Sequence, residues 1–455
     1  MAVPLGVLIG LLTCAIGLVI LERLCFMRQF GRLLKSFPFL TNLQILRKIT
    51  WRDGLESLLR ARTGEPLERP FGTNLRFCDW GQLQFNPVYL TGEPLEEEDP
   101  IETGVTLGTR ARKPLHLGIP VVIGGMSYGN ALSYRSKIAL ARATALAETA
   151  TDSGNGPLLE EERENAGHYI LQLPRGYWSK DPAILRQADL IEIGLGHGAW
   201  NSAPVRIKGY KVEAELAKRI GAIPGLDLLI ESHLPEGRNV AELKRYIREL
   251  RRITGGVPIG VKIGATHYIE RELERILAAG ADLFIFDGTE GGTHGAPTIL
   301  ADDLGLPALP ALCRAVQYLE DTGQRQTISL MVGGGLYTPG DALKCLALGA
   351  DAVMIGTAAC LALSHTQVVK TLPWEPPTEL LFHGGKQEFK FDPQLGAEHL
   401  NKFLQSWILE MKEVARALGK RSLRELTRKD LVALDRLAAA MTGVEYFEPR
   451  PKEKQ

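Results

Sequence analysis

Two glycine-rich stretches, Gly333-Gly334-Gly335 and Gly356-Thr357-Ala358, have the composition of anion sites. Backbone N–H groups at a turn or a helix start, with no side chain in the way, attract a phosphate through their partial positive charge. Glycine also serves tight turns, so either stretch alone says little. A third stretch, Gly124-Gly125-Met126-Ser127-Tyr128-Gly129, offers bare backbone against which a flat ligand can lie. A fourth, Asp287-Gly288-Thr289-Glu290-Gly291-Gly292-Thr293-His294-Gly295-Ala296, is equally stripped of bulk. Lys262 is a lone cation in the otherwise apolar run Ile259–Ile263. It either neutralises negative charge on a bound ring or snorkels to a surface salt bridge. His197 and His294, each beside glycine, suit proton exchange, since an unperturbed histidine titrates near pH ~6.5; a hydrogen bond to a neighbouring carbonyl is the structural alternative. Arg175 could grip a carboxylate bidentately or close a structural salt bridge. Glu290 and Thr293 join it as candidate substrate contacts. Trp178 and Trp200 either cover the ligand or cap the scaffold.

These residues need a scaffold that gathers them. From Pro120 onward, short β-branched or apolar runs alternate with stretches of helical periodicity. The runs are Pro120–Ile123, Tyr169–Leu173, Leu190–Ile193, Leu226–Ile230, Ile259–Ile263, Leu283–Phe286, Ile328–Val332 and Ala352–Ile355. Helices are predicted at Ser136–Ala147, Ala241–Arg252, Ile269–Ala279, Pro310–Leu319 and Pro339–Leu348. Eight β/α units over about 250 residues predict an α/β fold of the TIM (β/α)8 barrel type. A doubly wound sheet is the rival, but its G-x-G-x-x-G turn after the first strand is missing. In such a barrel, ligand groups come from loops at the C-terminal strand ends, with phosphate commonly held after strands seven and eight. Gly333–Gly335 and Gly356-Thr357 fall there.

The chain ends are different in character. Ala2–Leu21 is twenty residues without a charge, about the length that spans a bilayer core. Arg23, Arg28, Arg32 and Lys35 follow it, so a single-pass anchor with the barrel in the cytoplasm is expected. A signal peptide would need a charged start and a small-residue cleavage site, and neither is present. The expected organisation is an anchor at 1–22, a lead-in region at 23–117, a barrel at 118–365 and a helical extension at 366–455. In the extension, apolar residues from Leu400 to Leu418 form one stripe of a helix at Glu398–Leu418 that stops at Gly419. Thr427 and Asp430 suggest a capping box opening a second helix. The run Glu160–Glu164 reads as an exposed helix start. Lys+Arg and Asp+Glu both number 53, which gives no global pull toward nucleic acid. Six scattered cysteines without CxxC spacing argue against a disulfide framework and a zinc site.

The stretches Gly125–Gly129 with Ala131-Leu132-Ser133, Asp287–Thr293, Gly333–Gly335 and Gly349-Ala350-Asp351 with Gly356-Thr357 together resemble the FMN-binding synthase domain of glutamate synthase. More closely, the chain is similar to stand-alone proteins of the FMN-binding glutamate synthase family, which often carry an N-terminal membrane helix. The resemblance covers Thr106–Leu363 and the helices after it. It implies a barrel holding FMN that passes a hydride from N5 to 2-iminoglutarate or a related imine or oxo acid, giving L-glutamate or a relative. It also implies roles: Met126, Ser127 and Gln172 lining the flavin, Lys262 at its pyrimidine edge, and Gly333–Gly335 with Gly356-Thr357 on its phosphate. Lys262, His197 and His294 are the catalytic candidates.

Several family features are changed. No glutaminase domain is expected, and the iron–sulfur loop keeps one cysteine, Cys360, of three, so no cluster is expected. The family's Gln-Gly-Ala-Lys-Pro-Gly motif reads Gly196-His197-Gly198-Ala199-Trp200-Asn201, without its lysine. Its Thr-Gly-Glu-Gly-Gly loop reads Ser153-Gly154-Asn155-Gly156 after Asp152, without its glutamate. The losses fall on substrate and electron delivery. The electron donor stays open among a ferredoxin-like protein, an NAD(P)H-linked reductase and a membrane carrier, and a homo-oligomer is compatible with the sequence. Two alternatives stand beside this reading. One is an IMP dehydrogenase-like barrel on a phosphorylated substrate, which would need a cysteine that Gly288–Ala296 lacks. The other is a non-catalytic, membrane-tethered flavin sensor or scaffold.

Overall fold

The computed structural model describes residues 48–448 except Arg76, Cys78 and Asp79, together with scattered positions between 13 and 28. The chain divides into two units, Met1–Leu67 and Glu68–Gln455. In the first, helix Trp51–Thr63 starts at Thr50, whose hydroxyl accepts the Asp53 N–H, and stops at Gly64 in the left-handed region. Most of Ala2–Leu21 lies outside the described residues. The expectation of a single-pass membrane protein is corrected: among the described residues no helix is long and apolar enough to cross a membrane. The described helical positions nearest the predicted span already include Glu22, Arg23 and Arg28.

The second unit is built on a closed barrel of eight parallel strands. They are β1 (Val121–Ile123), β2 (Ala150–Asp152), β3 (His168–Leu173), β4 (Leu190–Gly194), β5 (Ile259–Gly264), β6 (Leu283–Asp287), β7 (Ser329–Gly333) and β8 (Ala352–Ile355). The helices that follow them are α1 (Tyr134–Leu146), α2 (Glu160–Asn165), α3 (Pro182–Leu185), α4 (Val240–Thr254), α5 (Ile269–Ala279), α6 (Ala308–Asp321), α7 (Pro339–Ala347) and α8 (Thr357–Ser364). The alternation along β5 shows why these residues make such a layer. Ile259, Val261 and Ile263 join the core shared with the helices, while Gly260, Lys262 and Gly264 take the other face, as a period of two requires.

Seven of the eight predicted runs coincide with barrel strands; Leu226–Ile230 does not. Its last three residues, Leu228–Ile230, pair antiparallel with Val205–Ile207 in a ribbon inserted between β4 and α4. The true second strand is Ala150–Asp152. Two of its three residues are polar yet fully enclosed, Thr151 by 0% and Asp152 by 1% exposure, so no apolar run marks it. The expected capping box at Thr427 and Asp430 forms, but it opens only the single turn Arg428–Asp430. The chain then extends as Leu431–Ala433 to pair with Leu83–Phe85, and sheet pairing there replaces the expected helix. The C-terminal helix α9 (Pro393–Ala417) starts at Asp392, whose carboxylate accepts two first-turn N–H groups. It packs along α1 and α8.

Inside the barrel the lower layers are apolar, with Val122, Ile170, Leu190, Leu283 and Met331 in one cluster. An antiparallel hairpin, Val105–Leu107 with Leu115–Leu117, contributes all four of its buried aliphatic residues to that cluster. It plugs the N-terminal end, where the Gly108 N–H donates to the Ser329 hydroxyl at the start of β7. The opposite end is left for polar groups. Leu107 is fully buried in the plug, so Leu107→Ala is expected to lower unfolding free energy by about 2–5 kcal/mol in a guanidinium titration.

Candidate functional site

The C-terminal strand ends surround an open cavity holding about 1120 Å³ of non-protein space, its mouth included. Gly124, Gly125, Met126 and Ser127 after β1 form one wall, and Gly333, Gly334, Gly356 and Thr357 another. Gly334 takes φ +102°, and a Cβ there would stand 2.8 Å from the Gly288 nitrogen, so glycine is required. At Gly292 a Cβ would meet the Thr357 hydroxyl at 2.6 Å. Helix α8 begins at Thr357 with no side chain capping its first-turn N–H groups, which leaves them free to meet an anion. Gly335 differs from its two neighbours. It does not line the cavity; its φ of +71° serves a turn packed on the Glu290 side chain.

The floor is a buried charge cluster. Lys262 on β5 places Nζ 3.4 Å from Asp287 Oδ2 on β6 and 3.6 Å from Glu192 Oε1 on β4. Gln172 on β3 donates its amide N–H to Glu192 Oε1. Asp152 on β2 accepts the Gly154 N–H at 2.8 Å, while its second oxygen and Glu192 Oε2 have no hydrogen-bond partner among the described residues. Burial raises the Asp152 carboxyl. Burial, reinforced by the charge of Asp152, pushes Glu192 up to about 8. Burial alone would lower the Lys262 ammonium, but Asp287, Glu192 and Asp152 together hold it raised. At neutral pH Lys262 is charged and the Asp152–Glu192 pair retains a proton. Neither acid is among the sequence candidates. Glu192 carries the same signature as Lys262, a lone charge in the apolar run Leu190–Ile193; Asp152 lies in a strand with no apolar pattern.

A second buried ion pair stands behind the β1 wall. Lys137 on α1 and Glu162 on α2 lie 2.8 Å apart with fully enclosed side chains. Lys137 Nζ also donates to the carbonyls of Met126 at 2.8 Å and Asp152 at 2.9 Å. Glu162 therefore belongs to the core rather than to an exposed helix start, because its partner is inside. Met126 itself lines the cavity and receives the Cys360 thiol at 3.5 Å.

The remaining candidates divide. His197, His294 and Thr293 line the cavity. Burial lowers His197 to about 4 and His294 to about 3, so both are neutral imidazoles at physiological pH. Thr293 accepts the Trp200 indole N–H at 3.0 Å, and the Trp200 ring stacks on His294 with centroids 6.4 Å apart. Trp178 is outside the lining; its indole donates to the Asn155 carbonyl. Arg175 reaches the cavity, but its guanidinium donates to the carbonyls of Ser202, Ser232 and Ala203 at 2.8–3.0 Å. It pins loops together through three of its five N–H donors, all to neutral carbonyls. Glu290 is turned away from the lining residues: Oε2 accepts the Ala308 N–H at 3.0 Å and caps α6, whose N-cap Pro307 has no side-chain donor or acceptor to offer. Side-chain type pointed to substrate chemistry in both cases; backbone partners, invisible in sequence, claimed them.

One wall was not anticipated. The short strand Glu68–Arg69 pairs with Ala296–Pro297, and the Phe71 N–H donates to the Thr293 carbonyl at 2.8 Å. Arg69 and Thr73 both bind the Asp302 carboxylate. This strap sets Phe71 on the cavity wall, edge-on to Phe382 with centroids 5.8 Å apart.

The architecture is a TIM (β/α)8 barrel with its candidate ligand site at the C-terminal face, the usual place for active sites in that fold. The chain belongs to the glutamate synthase family: the family described as the conserved region in glutamate synthase matches residues 92–421. A glutamate synthase large subunit-like protein of Rhizobium meliloti is 35% identical over 408 residues, covering 84% of this chain and 91% of that protein. An archaeal-type glutamate synthase (NADPH) of Thermotoga neapolitana is 31% identical over 337 residues, covering 73% of this chain but 66% of that protein. Among solved structures, a chimera of (S)-mandelate dehydrogenase superposes with a TM-score of 0.51 at 16% identity, covering 82% of this chain and 94% of the other. A flavocytochrome b2 variant with pyruvate bound gives 0.50 at 17%, covering 82% and 80%. At such identity these two structures speak to the fold alone.

The raised Glu192 carboxyl makes a signed prediction. A group protonated in the folded state but ionised in the unfolded chain binds more protons when folded, so stability is lost as pH rises between the two values. The Glu192 contribution to unfolding free energy is expected to decline between pH 4.5 and about 8, against an opposite contribution, rising up to pH 6.5, from the lowered His197 and His294. Glu192→Gln should flatten that decline in urea titrations across the range. Glu290, pushed up to about 7 by burial, acts with the same sign and leaves a residual slope.

Proposed function

We propose that this chain is an FMN-dependent oxidoreductase that reduces an imine or oxo compound, in the manner of the synthase domain of glutamate synthase. The observation that carries the reading is the pairing, in one cavity, of an anion cradle at Gly333, Gly334, Gly356 and Thr357 with the buried ammonium of Lys262. The residues fit the cofactor. The cradle suits its phosphate, the side-chain-free wall at Gly124 and Gly125 suits a flat ring, and Lys262 suits an edge that turns anionic. Bound FMN would supply a hydride donor at N5. Met126, Ser127 and Gln172 would line the ring, and the charge of Lys262 would be kept by the acids around it. The neutral rings of His197 and His294 can each donate one hydrogen bond and accept another, which suits orienting a carbonyl or imine nitrogen. Trp200 and Phe71 would exclude water from that side.

The reference reaction is conversion of 2-iminoglutarate to L-glutamate, and a related imine or oxo acid is the wider form of the proposal. Electrons are proposed to come from a separate ferredoxin-like protein or NAD(P)H-linked reductase. The test is the visible absorbance spectrum of the purified protein, with mass spectrometry of whatever heat releases. Oxidised-flavin bands and stoichiometric FMN are expected. Thr357→Glu should keep α8, since an acid in the first turn favours a helix, while weakening FMN binding more than about tenfold by repelling its phosphate. A colourless protein that takes up no added FMN overturns the proposal.

A further inference from the structure

The buried face of α1 carries one charged residue, Lys137, among alanines and the aliphatic Ile138 and Leu140. Its side chain is fully enclosed, and so is that of its counter-charge Glu162. Enclosing an ion pair is costly, and apolar residues of the same volume often serve stability as well. What an apolar residue cannot do is hold peptide carbonyls. An ammonium has three N–H donors, and Lys137 has three partners within 2.9 Å: Glu162 Oε1, the Met126 carbonyl and the Asp152 carbonyl. The group is spent on positions behind the wall and keeps no donor for a ligand.

The two loops that it joins meet backbone to backbone. Gly154 takes φ +67°, and a Cβ there would stand 2.5 Å from the Ser127 nitrogen; one on Gly156 would stand 2.8 Å from the Tyr128 carbonyl oxygen. Both carbonyls beside Ser127 are held. Lys137 binds that of Met126 at 2.8 Å, and the N–H groups of Ala131 and Leu132 donate to that of Ser127 at 3.1 and 2.9 Å. The Met126–Ser127 peptide is trans, so its N–H points opposite to its carbonyl and away from Lys137. That N–H has no hydrogen-bond partner among the described residues, while Ser127 is buried and lines the cavity. A buried N–H without a partner is rare, and the acceptor atom of a ligand would complete it.

We infer that Lys137 is a positioning residue of the cavity: by holding the Met126 carbonyl from behind, it presets the Ser127 N–H as a hydrogen-bond donor to the ring that lies against this wall. The inference rests on the flavin reading above and gives that ring a donor whose direction is set from α1, outside the barrel. A donor already fixed in direction saves the ordering cost that a mobile loop would incur on binding.

The test compares the unsubstituted protein with Glu162→Gln and with the double variant Lys137→Met/Glu162→Gln. Glu162→Gln leaves the Lys137 amino group on both carbonyls and keeps an acceptor for it and for the Tyr169 hydroxyl. The double variant removes the grip, roughly keeps the volume and leaves no unpaired charge. FMN affinity and amide exchange of the peptide spanning Gly124–Gly129, followed by mass spectrometry, are read on all three. The double variant is expected to bind FMN at least about tenfold more weakly and to exchange that peptide faster, while Glu162→Gln binds within about threefold of the unsubstituted protein. Affinity or exchange unchanged in the double variant overturns the inference, as does an equal loss in Glu162→Gln, which would trace the wall to charge balance. One arm needs no variant: loading the unsubstituted protein with FMN should slow exchange of this peptide, and no slowing overturns the donor assignment. If the unsubstituted protein takes up no FMN, the flavin reading fails by itself. Exchange in the double variant then decides the grip, and an unchanged rate overturns it.

Discussion

One ammonium enclosed by carboxyls governs the upper half of this barrel. Lys262 joins β5 to β4 through Glu192 and to β6 through Asp287. Gln172 brings in β3, and Asp152 extends the cluster to β2. Five adjacent strands therefore converge on a single charge. The cost of taking these groups from water is large and is offset only while every partner stays in place. The apolar layers and the hairpin plug beneath are held by strand pairing and by packing of buried aliphatic side chains. The cluster is where the fold stops being generic.

A second charge, Lys137, does for the wall what Lys262 does for the floor. By holding the carbonyls of Met126 and Asp152 it ties the loop after β1 to the end of β2. Its counter-charge Glu162 lies on the next helix unit, so the wall of the cavity is set by an interaction outside the barrel. Backbone carbonyls gripped from behind leave the opposite face of the loop free for a ligand. This lets a loop be both glycine-rich and well defined.

The parts legible in the sequence are those whose chemistry is written in side-chain type. Apolar runs such as Leu283–Phe286 and Ile259–Ile263 mark strands packed on both faces, and a lysine inside one of them had to have a reason. Ala150–Asp152 was hidden because its inward and outward groups are small or polar. Leu226–Ile230 misled because a half-buried ribbon strand has the same apolar character as a barrel strand. Arg175 and Glu290 have types that suit substrate binding, but their partners are peptide groups, and peptide groups look alike at every position. Gly335 shares its composition with Gly333 and Gly334, and only its backbone direction sets it apart. The strap at Phe71 lies before the family's matched region, and no local pattern links it to loops more than two hundred residues away.

That separation has a kinetic meaning. Arg69 and its partner Asp302 stand 233 positions apart. Closing so large a loop costs more chain entropy than any contact within a local β/α unit. The strap is held by a two-residue ribbon and a few polar contacts. By the same weakness it is the element expected to detach first in the folded state. Release of the strap would widen the mouth without unfolding the barrel, a route by which a large cofactor can enter a finished protein.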